Sequence, residues 1–511
     1  MYKIFVHIGQ KIFNHIPITL SIIILVTMLF FIQPKNYGDG SEYHIMLQSF
    51  VNHLSPEQRE NDANKLVEYA QKTGGSTNPN IFIEYKYSGY FPDKYGNLHS
   101  YHFWLYSLMV LPVRVIVELI GLNPLISFQV FNSLVLLMFS ILLIKLYKHQ
   151  SLVIWMLSVV NISIWFIYWN HPEYVSYIFV LISMILFSKN YIFWSILLSS
   201  TVANQNPPII FLSIAYFLIF FTRQIFKYKK LAHLIRQSTL PLLALSVGFL
   251  SYVFYYIYYD HPNLITKVGA SDFSLISIQR IFELLLDPGI GLFVFNPFIV
   301  TILFMLPIYS IFKLLKNRYS VSELINSKYF LYIFLFGILI LMLAFSSSTL
   351  NWNHGTTGPS RYTIWSILPT GIFFLIEIIE KLSITKQVNK KIKKAFTFYV
   401  LICILYSISI VLIGFSISRF GHLGFNIFQR ILLSHIPQIY NPSPQIFIER
   451  AIGMEIDANY DYDKIFIYFI DKQCQKSITS IQHISELEKI CNKKPKIDYC
   501  FNQKQCYFSF K

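Results

Sequence analysis

The chain has 511 residues, of which 54% are hydrophobic, 17% aromatic and only 13% charged. Soluble domains carry about 25% charged residues, so the composition excludes an ordinary soluble domain and predicts an all-α polytopic membrane protein. The formal net charge of +16 does not point to nucleic acid, because the basic residues lie in short clusters between apolar runs, where the positive-inside rule puts them.

Apolar stretches of about 18 or more residues, enough to cross a hydrocarbon core of roughly 30 Å as helices, recur along the chain. The first is expected over 16–33, with Lys3 and Lys11 before it, which predicts a cytoplasmic N-terminus. It has no small-residue cleavage site and reads as a retained span, not a signal peptide. A long extracytoplasmic loop over 34–124 follows. It opens with "YGDGSEYHIMLQSF", which sets Asp39 and Glu42 close to the bilayer surface. Next, "SPEQRENDANKLVEYAQKTGG" predicts a surface helix with Ser55 as its cap, Pro56 in its first turn and Gly74-Gly75 as its stop. In "LHSYHF", His99 and His102 are expected on one helical face.

The segment "YHFWLYSLMVLPVRVIVELIGLNP" is apolar but carries Pro112 and Arg114. An arginine at the bilayer centre costs at least about 2.5 kcal/mol, so this segment is predicted to lie along the outer interface with its guanidinium wet. Beyond it, spans and loops alternate. "KLYKHQ", "SKNY", "RQIFKYKKLAHLIR", "KLLKNR" and "KLSITKQVNKKIKK" fall inside. "WNHPEY", "ANQNPP", the stretch near 259–288 and "NWNHGTTGPSRY" fall outside. The alternation predicts about eleven spans, the last near 395–418, and an extracytoplasmic C-terminus.

Two domains are therefore expected: a membrane domain over 1–418 and a small extracytoplasmic domain over 419–511, with a strand-like run. Cys403 sits in an apolar run, whereas Cys474, Cys491, Cys500 and Cys506 are in the tail. In an oxidising compartment these four favour two disulfides, with three possible pairings; free or lipid-modified thiols are the alternative. "CFNQKQC" lacks the paired C-x₂-C spacing of a zinc site.

The chemistry-bearing residues collect on the outer face, Asp39, Glu42, His102, Glu173, His354 and Arg361 among them, while the inner face has no Gly-rich phosphate loop. An enzyme working outside would use a lipid-linked donor in place of a nucleotide-activated one. Each residue also has a structural reading. Asp39 and Glu42 complement the positive end of the helix that they open. The histidines belong to an aromatic interface belt, and Arg361 snorkels. The chemical reading gives a carboxylate the acceptor's proton and gives the arginine a phosphate.

The order and sidedness of four segments resembles the GT-C class of membrane glycosyltransferases, which includes the protein O-mannosyltransferases and aminoarabinose transferases. The segments are "GDGSEY" after a first span, the helix after "YHF", "DPGIGLFVFNPFIV", and "NWNHGTTGPSRYTIWSILP"; "YNPSPQIFIER" resembles the start of the tail in some members. The resemblance reaches to about position 450. It implies a GT-C-like fold in a cell membrane such as the bacterial inner membrane. The reaction implied is transfer of a sugar from a polyprenyl phosphate to a glycan, lipid or protein acceptor, usually with inversion. Asp39 matches the loop carboxylate that serves as base or positions the acceptor. Glu42 lies where the family often reads "GDE" or "GDxxxY", and Glu173 matches a second acidic residue. Arg361 matches an arginine near the donor phosphate, with His354, His102 and Tyr362 as further donor contacts. Some relatives use a divalent ion, which Asp39, Glu173 and a histidine would hold here. The implied partners are the lipid-linked sugar and membrane lipid, with no nucleic acid. A lipid or glycan flippase or secondary transporter is the competing reading, and would show inverted repeats and charges at mid-membrane. A scaffold acting through its cysteine-bearing tail is the third.

Overall fold

The computed structural model describes residues 2–32, 39–72, 80, 82–84, 89–228, 231–317, 319–355, 358–384, 389–416, 423–456, 464–470, 472–502 and 505–510. Seven helical segments among them are long and apolar enough to cross a membrane: Pro124–Val159, Pro207–Lys227, Ala232–Tyr259, Pro297–Lys316, Lys328–Ser346, Arg361–Ser383 and Lys390–Gly414. Three shorter apolar helices, His15–Phe30, Glu173–Ser188 and Ile192–Ala203, join them. Two of the expected spans fall in the single stretch Pro124–Val159, redirected at Lys148, whose φ of +44° no α-helix accommodates. Serines let the helices approach closely: Ser21 Oγ meets Ser140 Oγ at 2.7 Å, and Trp155 Nε1 donates to Ser140 Oγ at 2.9 Å.

The helical body has two different ends. At one, the loops expected outside converge. Tyr259 OH donates to the Phe91 carbonyl at 2.7 Å, Gln205 Nε2 to the Phe103 carbonyl at 2.8 Å, and Ser360 N to the Ile290 carbonyl at 2.8 Å. At the other, the basic linkers are tied by ion pairs. Lys189 meets Glu380, and Lys328 Nζ lies 2.8 Å from Glu377 Oε2.

The first long loop folds as helix Gly40–His53, helix Glu60–Lys72, a hairpin of strands Tyr90–Pro92 and Leu98–Ser100, and helix Leu105–Leu119. Three expectations change here. The surface helix starts at Glu60, not beside Ser55, because Gln58 N donates to the Leu98 carbonyl at 2.8 Å and is drawn out toward the hairpin. Asp62, not Ser55, caps the start, accepting from Arg59 N at 2.7 Å while also holding Ser49 and Asn52 of the preceding helix. The expected Gly74-Gly75 stop lies outside the described residues.

His99 and His102 share no helical face. His99 is in a strand, paired with Phe91, and its ring sits 3.3 Å from Asp93. The hairpin forms there because Asp93 Oδ1 accepts from the backbone of Tyr95 and Asn97, both at 2.8 Å, and Gly96 takes a φ of +89°.

Arg114 is not wet. It is 2% exposed, donating to Glu118 Oε2 at 2.6 Å and Gln48 Oε1 at 3.1 Å, with the Tyr69 ring 5.2 Å away. Inward placement satisfies the guanidinium and turns Val115, Ile116 and Leu119 outward. The 15 residues of Leu105–Leu119 span about 22 Å, short of a roughly 30 Å hydrocarbon core.

The tail carries helices Ile427–His435 and Pro444–Ile452 and an antiparallel sheet of four strands, Phe466–Ile470, Gln473–Thr479, Lys496–Asn502 and Gln505–Ser509. The last strand lies between the second and third. Of the three possible pairings the structure has Cys474–Cys491 and Cys500–Cys506. Cys403 is a buried free thiol. The tail is seated on the membrane domain's loops. Tyr440 OH donates to Asp287 Oδ2 at 3.1 Å, Ser443 Oγ to Glu283 Oε2 at 2.5 Å, and Asn353 Nδ2 to Glu449 Oε2 at 2.8 Å.

Candidate active site

The helix Gly40–His53 presents its N-terminus to the loop end of the body. Asp39 stands at the cap position, yet its carboxylate caps no backbone N–H. It turns instead to Arg361, with Nη1 at 3.4 Å from Oδ2, and to His102, whose Nε2 is 3.8 Å away. Glu42, in the first turn, is fully buried. Its Oε2 accepts from Ser100 Oγ at 2.5 Å and lies 3.1 Å from His102 Nδ1, while Oε1 has no hydrogen-bond partner among the described residues. His102 therefore bridges the two carboxylates. Gly89 closes the back of this nest: a Cβ there would stand 2.3 Å from Glu42 Cδ. The Tyr90 hydroxyl donates to the Glu42 carbonyl at 3.0 Å.

Arg361 opens the helix Arg361–Trp365, whose start is fixed by the Ser360 side chain, and its backbone N–H donates to the His354 carbonyl at 2.9 Å. Its guanidinium lies against the Tyr362 ring, 5.4 Å from the centroid. Glu173 is the first residue of the helix Glu173–Ser188 and is buried. Its Oε2 has no hydrogen-bond partner among the described residues, and His171 Nδ1 is 3.8 Å from it. The His171 ring stacks on Trp169 at 3.8 Å, and Tyr43 touches both His102 and His171, with ring centroids 5.2 and 5.6 Å apart.

Charge sets the protonation states. Burial works against ionisation of Asp39, but His102, Arg361 and His171 outweigh it and hold the carboxyl at about 2. Burial raises Glu42 above the usual carboxylate range, only partly offset by His102. For His102, burial opposes the imidazolium, yet Glu42 and Asp39 raise it above an ordinary histidine. Asp39 is thus anionic while Glu42 holds its proton more readily, a division of two neighbouring carboxyls set by environment.

Beside this cluster is a cavity of about 900 Å³, which Asp39 and Glu42 meet through Arg361 and His102 and do not themselves line. Tyr43, His102, His171, Glu173, Arg361 and Tyr362 line one part of it. Ile210, Phe211, Tyr252, Phe273 and Phe345 line another. The cavity therefore offers charged and apolar side chains together, alongside polar ones such as Asn206, His261 and Asp272. The Tyr362 hydroxyl is held between Thr349 Oγ1, at 3.1 Å, and Asn351 Oδ1, at 3.3 Å.

No protein-family model, curated protein or solved structure matches this chain.

Of the residues singled out from sequence, Asp39, Glu42, His102, Glu173, Arg361 and Tyr362 come together. His354 does not join them. Its Nε2 lies 3.4 Å from Glu449 Oε1 of the tail, and it is not among the cavity's lining residues. Its carbonyl serves the site by anchoring Arg361 N. The cysteine pairs lie in the tail, away from the cavity lining. Among the described residues no three His, Cys, Asp or Glu side chains are placed to hold one metal ion, and Asp39, Glu173 and a histidine form no such group. Sequence reasoning missed Tyr43, Ser100 and Gly89. Tyr43 follows Glu42 directly and carried a legible signal, whereas Ser100 and Gly89 reach the site only through the hairpin fold.

Proposed function

We propose that the chain is an integral-membrane glycosyltransferase of GT-C type, moving a sugar from a polyprenyl-phosphate donor to a hydroxyl acceptor on the extracytoplasmic face. The observation that carries this reading is the 900 Å³ cavity, whose lining combines Arg361 and Glu173, with Asp39 3.4 Å from Arg361, and the apolar side chains of Ile210, Phe211, Phe273 and Phe345. An amphipathic donor needs both: a cation for its phosphate and a dry surface for its lipid.

In this reading the acceptor oxygen attacks the anomeric carbon from the face opposite the phosphate. The new C–O bond forms as the sugar–phosphate bond breaks, the hydroxyl proton passes to Asp39, and the electron pair leaves with the polyprenyl phosphate. Arg361 neutralises the charge that grows on the leaving phosphate. Drawing Arg361 toward the donor also removes one of the charges that hold Asp39 at about 2, which makes that carboxylate more basic when the substrate is in place. The two cations and three carboxylates of the site come from loops distant in sequence, an arrangement with no evident role in packing alone.

A transporter or flippase calls for paired charges at mid-span. The carboxylates of the Arg361–Ser383 segment, the buried Glu377 and the half-buried Glu380, lie in its last two turns and are bound to Lys328 and Lys189. The test is transfer by purified protein presented with a panel of polyprenyl-phosphate sugars and hydroxyl acceptors. Product formation lost in Asp39→Asn is expected; product at the wild-type rate in that variant, or movement of labelled lipid across vesicles without transfer, sinks the reading.

A further inference from the structure

The helical segment that Arg361 begins is 23 residues long and runs to Ser383, about 33 Å away. At that far end three helices do not close on one another. The start of Ser151–Val159, the end of Ile367–Ile384 and the first half of Lys390–Ser416 leave a cleft of about 390 Å³. Its walls are hydrocarbon: Val153, Ile379, Leu382, Phe396, Val400 and Ile404. Its mouth holds His149 and the half-buried Lys393, and Lys390, Lys391 and Lys394 stand exposed on the same helix.

Three observations define what fits there. The carboxylates Glu377 and Glu380 at this end are already taken by Lys328 and Lys189, so among the described residues Lys393 has no carboxylate partner. The cleft continues onto the outward surface of its own third helix, where Phe398 is 63%, Leu401 49% and Leu405 53% exposed, so it opens sideways onto the surface that faces hydrocarbon. The basic linkers that frame it, "KLYKHQ" and "KKIKK", are those the charge pattern assigns to the cytoplasmic side, where anionic lipid is enriched. Water would meet apolar walls in the cleft, and a bare anion would meet them too. A molecule with both a hydrocarbon chain and a phosphate satisfies wall and mouth together.

We propose that this cleft binds an anionic phospholipid, one acyl chain lying along the Val153, Phe396 and Val400 wall and the phosphate held at the mouth by Lys393 and His149. The site is separate from the cavity fronted by Arg361 and does not depend on the glycosyltransferase reading. Lipid bound there fastens the Lys390–Ser416 helix to the rest of the body, so occupancy also raises thermal stability.

The experiment uses the full chain, delipidated in detergent and titrated with phosphatidylglycerol or phosphatidylcholine of identical acyl chains. Binding is read by native mass spectrometry and by the shift in Tm. One phosphatidylglycerol retained at least about tenfold more tightly than phosphatidylcholine is expected. Lys393→Gln should weaken it about fivefold, the effect of one cation near a lipid phosphate, and Lys393→Arg should restore it. Lys316→Gln, in another basic linker, should change nothing. Val400→Trp fills the cleft and should abolish retention of either lipid; if it fails to fold, the Lys393 pair decides alone. Equal retention of both lipids, unchanged retention in Lys393→Gln, or displacement by millimolar inorganic phosphate overturns the proposal.

Discussion

Asp39 and Arg361 stand 322 positions apart in the chain and meet at 3.4 Å. The contact joins the loop after the first apolar helix to the loop before a late one, and sets an anion directly beside the cation that lines the cavity. If the pair is a base and a phosphate clamp, their loss should be felt differently. Asp39→Asn keeps the side chain's shape but not its basicity, and should lower kcat by about 10²–10⁴-fold with normal expression. Arg361→Ala should weaken use of the donor as well, visible in KM. Steady-state kinetics on both variants separates the roles; equal effects on kcat alone would remove the phosphate assignment.

Glu42 offers a control on the same nest. Its carboxyl is buried, holds its proton readily and is gripped by Ser100 and His102. Glu42→Gln preserves most of that grip and should leave kcat within about tenfold of wild type. Gly89→Ala should do more harm, since its Cβ would overlap Glu42 Cδ at 2.3 Å. Overpacking of this kind costs about 1–3 kcal/mol, read as a lowered Tm. An inactive Glu42→Gln beside an active Asp39→Asn would make Glu42 the working base.

The seating of the tail should depend on pH. Burial, with Asp287 adding to it, pushes Glu283 up to about 7, and the tail's Ser443 covers it. A carboxyl raised in the folded state binds its proton more tightly than the unfolded chain does. Stability therefore falls as pH rises from the unfolded value, about 4.5, to about 7, and is level beyond. Limited proteolysis between tail and body should quicken across that window. Glu283→Gln, which cannot ionise, should flatten the profile; an unaltered profile places the sensitivity elsewhere.

Reduction should loosen the tail without releasing the membrane domain. Cys474 and Cys491 are 17 positions apart and tie the helix Ile484–Cys491 to the sheet. A loop near that length is worth about 3 kcal/mol in the chain-entropy account. Alkylation before and after reductant, followed by mass analysis, should find one free thiol in native protein, Cys403 if it is unfolded during labelling. Five free thiols without reductant would count against both bonds and against an oxidising compartment.

Sidedness is open to direct measurement. A reporter fused after Lys394 should behave as cytoplasmic and one at the end of the tail as extracytoplasmic. The same location at both would undo the charge argument that separates the two ends of the body.

Helix content and the clustering of Asp39, Glu42, Glu173 and Arg361 were legible in the sequence because both rest on coarse signals: apolar length and the side on which charge falls. Local shape was less so. Ser55 and Pro56 resemble a helix start, but the hairpin captures Gln58 and moves it to Glu60. Arg114 had to be wet or paired, and composition alone could not see that Gln48 and Glu118 stood ready for it. His99 lies in the strand Leu98–Ser100 and His102 in the bend beyond it, where one helical face was expected. His354 sits beside Arg361 in sequence motif and in backbone contact, yet its ring answers to Glu449, a residue that no local pattern connects to it.

His354 is held from both sides: its ring faces Glu449 of the tail and its carbonyl receives Arg361 N. Glu449 in turn takes Asn353, the residue before. The final stretch of chain is therefore a keystone behind the arginine, not an appendage beside it. Protein shortened to end before Asn426 would keep every side chain that faces the cavity and still lose the backing that aims Arg361. A chimera cut at the membrane boundary would have to carry Asn353, His354 and the Pro444–Ile452 helix as one piece.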